Sequence, residues 1–493
     1  MCCPVTLPTT LGRIKGVILG PILRVALQAE EFSTAFKDPE IDKTWYLEGK
    51  YSNQTPQLNY VMNVLAFSLL LTAINFRQSI SWADRGKQVV SGYYPAYNSR
   101  IQPPSKIPWS HYTHIDYFVA PVQNDAGNPL KIEDEKNLKE TVQLAKAHNV
   151  SISLCIGGWT GSKFFSPLVN TDESRQKFAT SLVRIIKEHQ FDGIDLDWEY
   201  PGVPGQEGNI ISPSDTDNFL KFLQILRKKF GPDYRISAAV SVKGFMGADG
   251  KYLKDTKAFS KVLDYITIMA YDIYVSGAGA KLSTIQIFSF RSNQYLGEER
   301  VQIKENLAWT PRYGYAYTLL SSELQATKFS GLKQKSSLLF QNITAQPPQG
   351  GKISATPGHW LYKELFLDDK LAKDGRRGTS GYKRHFDECS RTFQFCLGPP
   401  FLFNKDNKNL IVYDDRRSIF EKALFAKSKK LGGINIFDTT GDTPDRKLVE
   451  TIHVLYSNKK SNKTALSKKL NGEDSSNKKN KFSLKKTCTK LQR

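Results

Sequence analysis

Between Phe191 and Gly202 the chain reads FDGIDLDWEYPG, and any fold it adopts must house three neighbouring carboxylates. Asp195, Asp197 and Glu199 alternate with Ile194, Leu196 and Trp198. Successive side chains of a β-strand point to opposite faces, so a strand here lines one face with acid. Close carboxylates repel one another and raise the pKa of at least one member. Acid–base work, metal binding or an ordered hydrogen-bond chain are the usual reasons to keep such a cluster. The polar face of an exposed strand is the plainer alternative. Phe191 before the run and Trp-Tyr-Pro within it argue instead for a buried strand.

From Val89 onward, short β-rich runs alternate with amphipathic stretches. Strands are expected at 89–97, 113–120 and 152–159, at the acidic run, and at 235–242, 265–274, 306–319 and 432–442. Apolar residues at three-to-four spacing predict helices over 132–148, 173–190 and 219–230. Eight strands with intervening helices predict an α/β fold, a (β/α)8 TIM barrel whose active site lies at the C-terminal ends of its strands. The third strand ends in Gly157 and Gly158, which permit close backbone approach. About 110 residues separate the last two strands, far more than one helix and two loops need. A small inserted α+β domain is therefore expected between strands 7 and 8.

The 493 residues include 40% hydrophobic and 12% aromatic side chains, a globular composition rich in rings. Six scattered cysteines do not form a disulfide framework, and no CxxC or HExxH spacing points to a metal. Cys389 and Cys396 alone are close enough in sequence for a local bridge, which is not expected. The formal charge of +21 would by itself suggest nucleic acid or an anionic surface. Residues 457–493, however, hold twelve Lys or Arg against two acids, which places ten of those charges in a Ser/Asn/Lys-rich tail read as disordered. Val61–Ile74 is a fourteen-residue apolar run, short for a membrane span and of signal-peptide length, beginning beside Met62. The expected organisation is thus an N-terminal extension or incorrect gene start at 1–61, and a signal peptide and linker at 62–86. The catalytic barrel is expected at 87–319 and 411–456, the insertion at 320–410 and the tail at 457–493. Secretion is expected, with no stable membrane insertion and no nucleic-acid partner. Sequons at Asn149, Asn342 and Asn462 fit that expectation.

The run DGIDLDWE resembles the D-x-x-D-x-D-x-E signature of glycoside hydrolase family 18, the chitinases and their relatives, with Asp192, Asp195, Asp197 and Glu199 all present. IMAYDIY is similar to the family's M-x-Y-D element, carried by Met269, Tyr271 and Asp272. FDECSRT, PFLFN and YDD within 386–415 are similar to a late pattern of fungal-type members that carry the chitinase insertion domain.

The resemblance implies hydrolysis of chitin or another N-acetylglucosamine-containing glycan by an endo-acting, monomeric enzyme without metal or cofactor. It implies a substrate-assisted, retaining reaction in which the sugar's own N-acetyl oxygen attacks the anomeric carbon. Glu199 would be the general acid, Asp197 its proton-sharing partner, Asp195 a buried relay and Asp192 structural. Tyr271 would donate a hydrogen bond to the acetamido oxygen. Met269, Asp272 and Tyr200 would line the sugar site. Tyr93 and Trp159 sit near the ends of strands 1 and 3, where each ring either stacks on a pyranose or joins the core. Three departures stand out. Cys155 replaces the Ser of the family's S-x-G-G, Phe437 replaces the usual strand-8 Trp beneath the central sugar, and 275–301 lacks the expected Trp and Pro-rich pattern. Two other functions share this barrel: chitin-binding lectins, in which the acid is typically lost, and enzymes of N-glycan cores, which usually lack the insertion.

Overall fold

The computed structural model describes residues 88–271, 307–320, 328–329, 332–333, 344–386 except 345 and 355, and 400–456. Seven strands come first in the chain: β1 (Val89–Pro95), β2 (His114–Ala120), β3 (Ser151–Gly157), β4 (Gly193–Asp197), β5 (Arg235–Ser241), β6 (Tyr265–Met269) and β7 (Leu307–Pro311). There follow β8 (Tyr313–Thr318), β9 (Lys328–Phe329), β10 (Leu332–Lys333), β11 (His359–Leu361), β12 (Tyr382–Phe386), β13 (Pro400–Asn404), β14 (Asn409–Val412) and β15 (Gly433–Phe437). Strands β1 to β7 and β15 close into one barrel, with β15 pairing in parallel with both β7 and β1. A TIM barrel is therefore present, and the acidic run is its fourth strand.

Helices α1 (Glu135–Ala147), α2 (Phe165–Asn170), α3 (Asp172–Glu188), α4 (Asp215–Phe230) and α5 (Lys257–Ser260) lie between β2 and β6; α6 (Tyr362–Leu367), α7 (Arg416–Ser428) and α8 (Lys447–Tyr456) follow. Their starts are written in the sequence. Asp134 accepts the Asn137 amide at 2.9 Å, Thr171 and Ser174 cap α3 reciprocally, and Asp415 accepts the amides of Arg417 and Ser418. Apolar faces of α3 and α4 pack on the barrel wall, where Phe178 and Phe222 stack at 4.8 Å. Among the described residues no helix is long and apolar enough to cross a membrane.

The stretch 306–319, read from sequence as one strand, is two. A continuous β-rich run conceals the break at Arg312, after which Tyr313 opens a second, antiparallel sheet in the order β11-β8-β14-β13-β12. Strand 6 likewise stops at Met269 and strand 8 at Phe437, before their aromatic and Thr-rich continuations. The segments proposed as signal peptide, N-terminal extension and basic tail, as well as Asp272, the loop 275–301, Cys389 and Cys396, lie outside the described residues.

The lower barrel interior is polar. Ser91, Asp116, Ser153, Arg235 and Asn435 are all fully or almost fully buried. Arg235 Nη2 lies 2.9 Å from Asp116 Oδ1, and its Nε donates to Ser153 Oγ at 2.8 Å. Asn435 Nδ2 donates to Ser91 Oγ at 2.6 Å. Two residues further along these strands, on the same inward face, stand Tyr93, Phe118, Cys155, Ser237 and Phe437.

Candidate active site

Strand β4 is apolar on its outward face, where Ile194 and Leu196 are completely buried. Its inward face carries Asp195 and Asp197. Asp195 sits between two short hydrogen bonds: Tyr93 on β1 donates to Oδ2 at 2.6 Å, and Ser237 on β5 donates to Oδ1 at 2.6 Å. Cys155, paired with Asp195 across the β3–β4 ladder, is completely buried. Burial first, then the charges of Asp195 and Asp197, pushes its thiol well above the usual range, so it remains protonated. Burial and then Asp195 do the same to the Tyr93 phenol, keeping it a donor.

Asp197 is buried too, and its Oδ1 has no hydrogen-bond partner among the described residues. Burial pushes its carboxyl well above the usual carboxylate range, and the neighbouring charges of Glu199 and Asp195 push it the same way. Glu199 lies two residues past the end of β4 rather than on the strand, half-buried at the barrel mouth. Its amide donates to Ser162 Oγ at 3.0 Å, and its carbonyl accepts from Asn209 Nδ2 at 3.0 Å. The row therefore runs from a firmly held Asp195, through an under-solvated Asp197, to an accessible Glu199.

The paired glycines shape this end of the barrel. Gly157 has φ +106°, and a Cβ there would lie 2.3 Å from the Asp197 carbonyl oxygen. Gly158, at φ +76°, donates its amide to that same oxygen at 2.8 Å. Asp192 sits at the opposite end of the strand, accepting the Ile152 amide at 2.9 Å, and burial raises its carboxyl.

Around the acids lies a set of rings. Tyr93, Phe118, Cys155, Ala239 and Met269 form a buried cluster against which Tyr200, Tyr271 and Phe437 pack. Phe437 stacks on Tyr271 at 6.1 Å and 16°, and meets Tyr93, Phe118 and Tyr313 edgewise or tilted at 5.3–6.3 Å. Of the two expectations for Tyr93, sugar stacking or core, the structure puts the ring in the core at 0% exposure. Met269 is buried as well, whereas Trp159 is 50% exposed on the loop after β3. Tyr200, Tyr271 and Phe437 are half-buried.

Three residues absent from the sequence reading belong to this site. Ser237 stands on the inward face of β5, two residues on from Arg235, a signal that period-two reading of RISAAVSV could have found. Tyr313 opens the second sheet yet brings its ring against both Tyr271 and Phe437. Ser162, in a loop, has no local signal at all.

Known proteins resemble this chain across the barrel that carries these residues. A model of the family described as Glycosyl hydrolases family 18 matches residues 89–442. A chitinase-like effector of Moniliophthora roreri is 30% identical over 398 residues, 74% of this chain and 92% of the relative. Chitinase A1 of Niallia circulans is 28% identical over 312 residues, 60% of this chain and 41% of that protein. Among solved structures, a chitinase (RmChi1) of Rhizomucor miehei superposes with a TM-score of 0.62 at 24% identity, covering 75% of this chain and all of that one. With the signature acids on and directly flanking the fourth strand of a closed barrel, and the family match spanning that barrel, this chain belongs to glycosyl hydrolase family 18.

Proposed function

We propose that this chain cleaves β-1,4 bonds between N-acetylglucosamine units of chitin or its oligosaccharides, with Glu199 as general acid and base. The observation that carries the reading is the state of Asp197: a buried carboxyl with an upward-shifted pKa, between a fixed Asp195 and a mouth-facing Glu199. Such a group can hold a proton beside Glu199 and turn towards substrate when the site fills. In the proposed reaction Glu199 protonates the glycosidic oxygen as that bond breaks, and the acetamido oxygen of the adjacent sugar attacks its anomeric carbon. Asp197 stabilises the charge that builds on the acetamido nitrogen, and Tyr271 donates to the acetamido oxygen. Water, deprotonated by Glu199, then opens the ring-closed intermediate with overall retention. Phe437 forms the floor under the sugar, and Trp159 offers an exposed ring beyond it.

Endo action, secretion through the segment at 62–86, the division into barrel, insertion and tail, and action as a monomer belong to the same proposal. The antiparallel sheet between β7 and β15 favours chitin over N-glycan cores. A second reading, chitin binding without cleavage, draws support from the Moniliophthora relative called a chitinase-like effector. The retained Glu199 weighs against it.

Release of N-acetylglucosamine oligomers from chitin by the wild type and by Glu199→Gln separates the two. Hydrolysis is expected to drop by about 10²–10⁴-fold in the variant, while chitin pull-down persists. A wild type that binds chitin and releases nothing would establish the binding reading instead.

A further inference from the structure

We propose that Ser162 is a positioning residue for Glu199, and that its buried hydroxyl links the loop after β3 to the end of the acidic strand. Ladder pairing between β3 and β4 ends at Gly157 and Asp197, so the backbone beyond Asp197 leaves the sheet. The Glu199 amide needs another acceptor there. Ser162 Oγ supplies it at 3.0 Å. The same hydroxyl donates its one proton towards the Gly158 carbonyl at 2.8 Å, with the Asp197 carbonyl 3.1 Å away. Ser162 is completely buried, so water cannot replace it.

The loop that carries Ser162 is itself held against this corner. Gly158 donates to the Asp197 carbonyl, and Gly161 donates to the Gly158 carbonyl at 3.1 Å. A Cβ on Gly161 would lie 2.1 Å from the Gly157 carbonyl oxygen, so the turn has no slack. Ser162 therefore touches the backbone of both Asp197 and Glu199 without reaching towards substrate. Asn209, on a half-buried loop, holds the Glu199 carbonyl from the other side. This pair of holds fixes the Glu199 backbone from which the carboxyl projects, and the Ser162 hold is the one shut off from solvent.

The kinetic arm of the test rests on the hydrolase reading; the exchange arm does not. Ser162→Ala and Ser162→Thr are compared with the wild type for kcat and KM on a soluble chito-oligosaccharide, and for hydrogen exchange in the peptide spanning residues 197–203. The expected result for Ser162→Ala is a kcat lower by about 10- to 100-fold with KM within about twofold, since a displaced catalytic group costs rate rather than binding. Exchange at residues 197–203 should quicken while the α3 and α4 peptides stay protected, which shows that the variant has folded. Ser162→Thr, which keeps the hydroxyl, should reverse both effects. Unchanged exchange in Ser162→Ala overturns the assignment, as does a rise in KM at constant kcat, or a Thr variant that behaves like Ala. A wild type that cleaves nothing would sink the hydrolase reading, and the exchange comparison would still decide whether Ser162 orders the Glu199 backbone.

Discussion

Asp197 holds its proton more tightly in the folded chain than in the unfolded one, because burial and two neighbouring carboxylates disfavour its charge. In the unfolded chain it titrates near about 4. Between that value and its raised native value, the native state therefore binds more protons than the unfolded state, and stability falls as pH rises. Asp197→Asn removes the titration while preserving shape. Its stability relative to wild type should rise from pH 4 towards pH 8, read from urea midpoints at each pH, while the proposed mechanism predicts a fall in hydrolysis. A difference that stays constant across that range would contradict the assignment. The acids themselves were legible from sequence, because period-two alternation in one short strand needs no tertiary information. Their partners were not. Tyr93, Ser237 and Ser162 come from positions 102, 42 and 37 residues away from the groups they contact, and only barrel closure brings them together. Cys155, in the place of the family's Ser, offers a weak thiol donor instead of a hydroxyl, yet Asp195 still receives two short hydrogen bonds.

At the level of strands, a buried ion pair lies beneath the acids. Arg235 on β5 and Asp116 on β2 meet at 2.9 Å with side chains 0% and 2% exposed. Burial raises the Asp116 carboxyl to about 7 although the Arg235 charge opposes that shift, so the acid depends on Arg235 for the charge it keeps. Removing one partner strands a charge inside a closed barrel. Arg235→Met should destabilise by about 3–5 kcal/mol, whereas Arg235→Met combined with Asp116→Leu should cost less than that single change. Urea unfolding of the two single variants and the double variant measures this as a double-mutant cycle. Additive losses would show that the pair is not coupled. The polar interior also explains where strand reading from sequence fell short. THIDYFVA and RISAAVSV were read as strands without a reason for Asp116 or Arg235, because each charge makes sense only opposite the other. Strand ends were missed for a different reason. β-Rich composition continues past Met269 and through Arg312, while the barrel strands end at Met269 and Pro311, and composition does not encode where ladder pairing stops.

Across the whole molecule, the barrel and the antiparallel sheet are packed as one body. A single apolar cluster contains Ile194, Leu196 and Ile436 of the barrel together with Ala316, Trp360, Tyr362, Leu402 and Ile411 of the second sheet and its helix. The joint is Arg312, between β7 and β8. Its amide donates to the Phe437 carbonyl at 2.8 Å, its carbonyl accepts the Tyr362 amide at 3.0 Å, and its guanidinium, fully buried, lies 3.5 Å from Asp442. Gly441 is pressed against it so closely that a Cβ would come within 2.4 Å of the Arg312 carbonyl oxygen. The second sheet keeps an apolar cluster of its own on one face, with Tyr317, Phe401, Phe403 and Leu410, but its other face shares the barrel's core and the joint is backbone-bonded, so the two should unfold together. Calorimetry is expected to give one transition for both, with near-equal calorimetric and van't Hoff enthalpies. Arg312→Met should lower the midpoint of that transition without splitting it, since it leaves Asp442 buried without its cation, at a cost of about 3–5 kcal/mol. Because Tyr313 follows Arg312 directly and carries its ring to Tyr271 and Phe437, the same variant should raise KM for chito-oligosaccharides through loosened sugar contacts. Two resolved transitions in the wild type would show instead that the second sheet is an independent module, and that its ring reaches the site without sharing the barrel's stability.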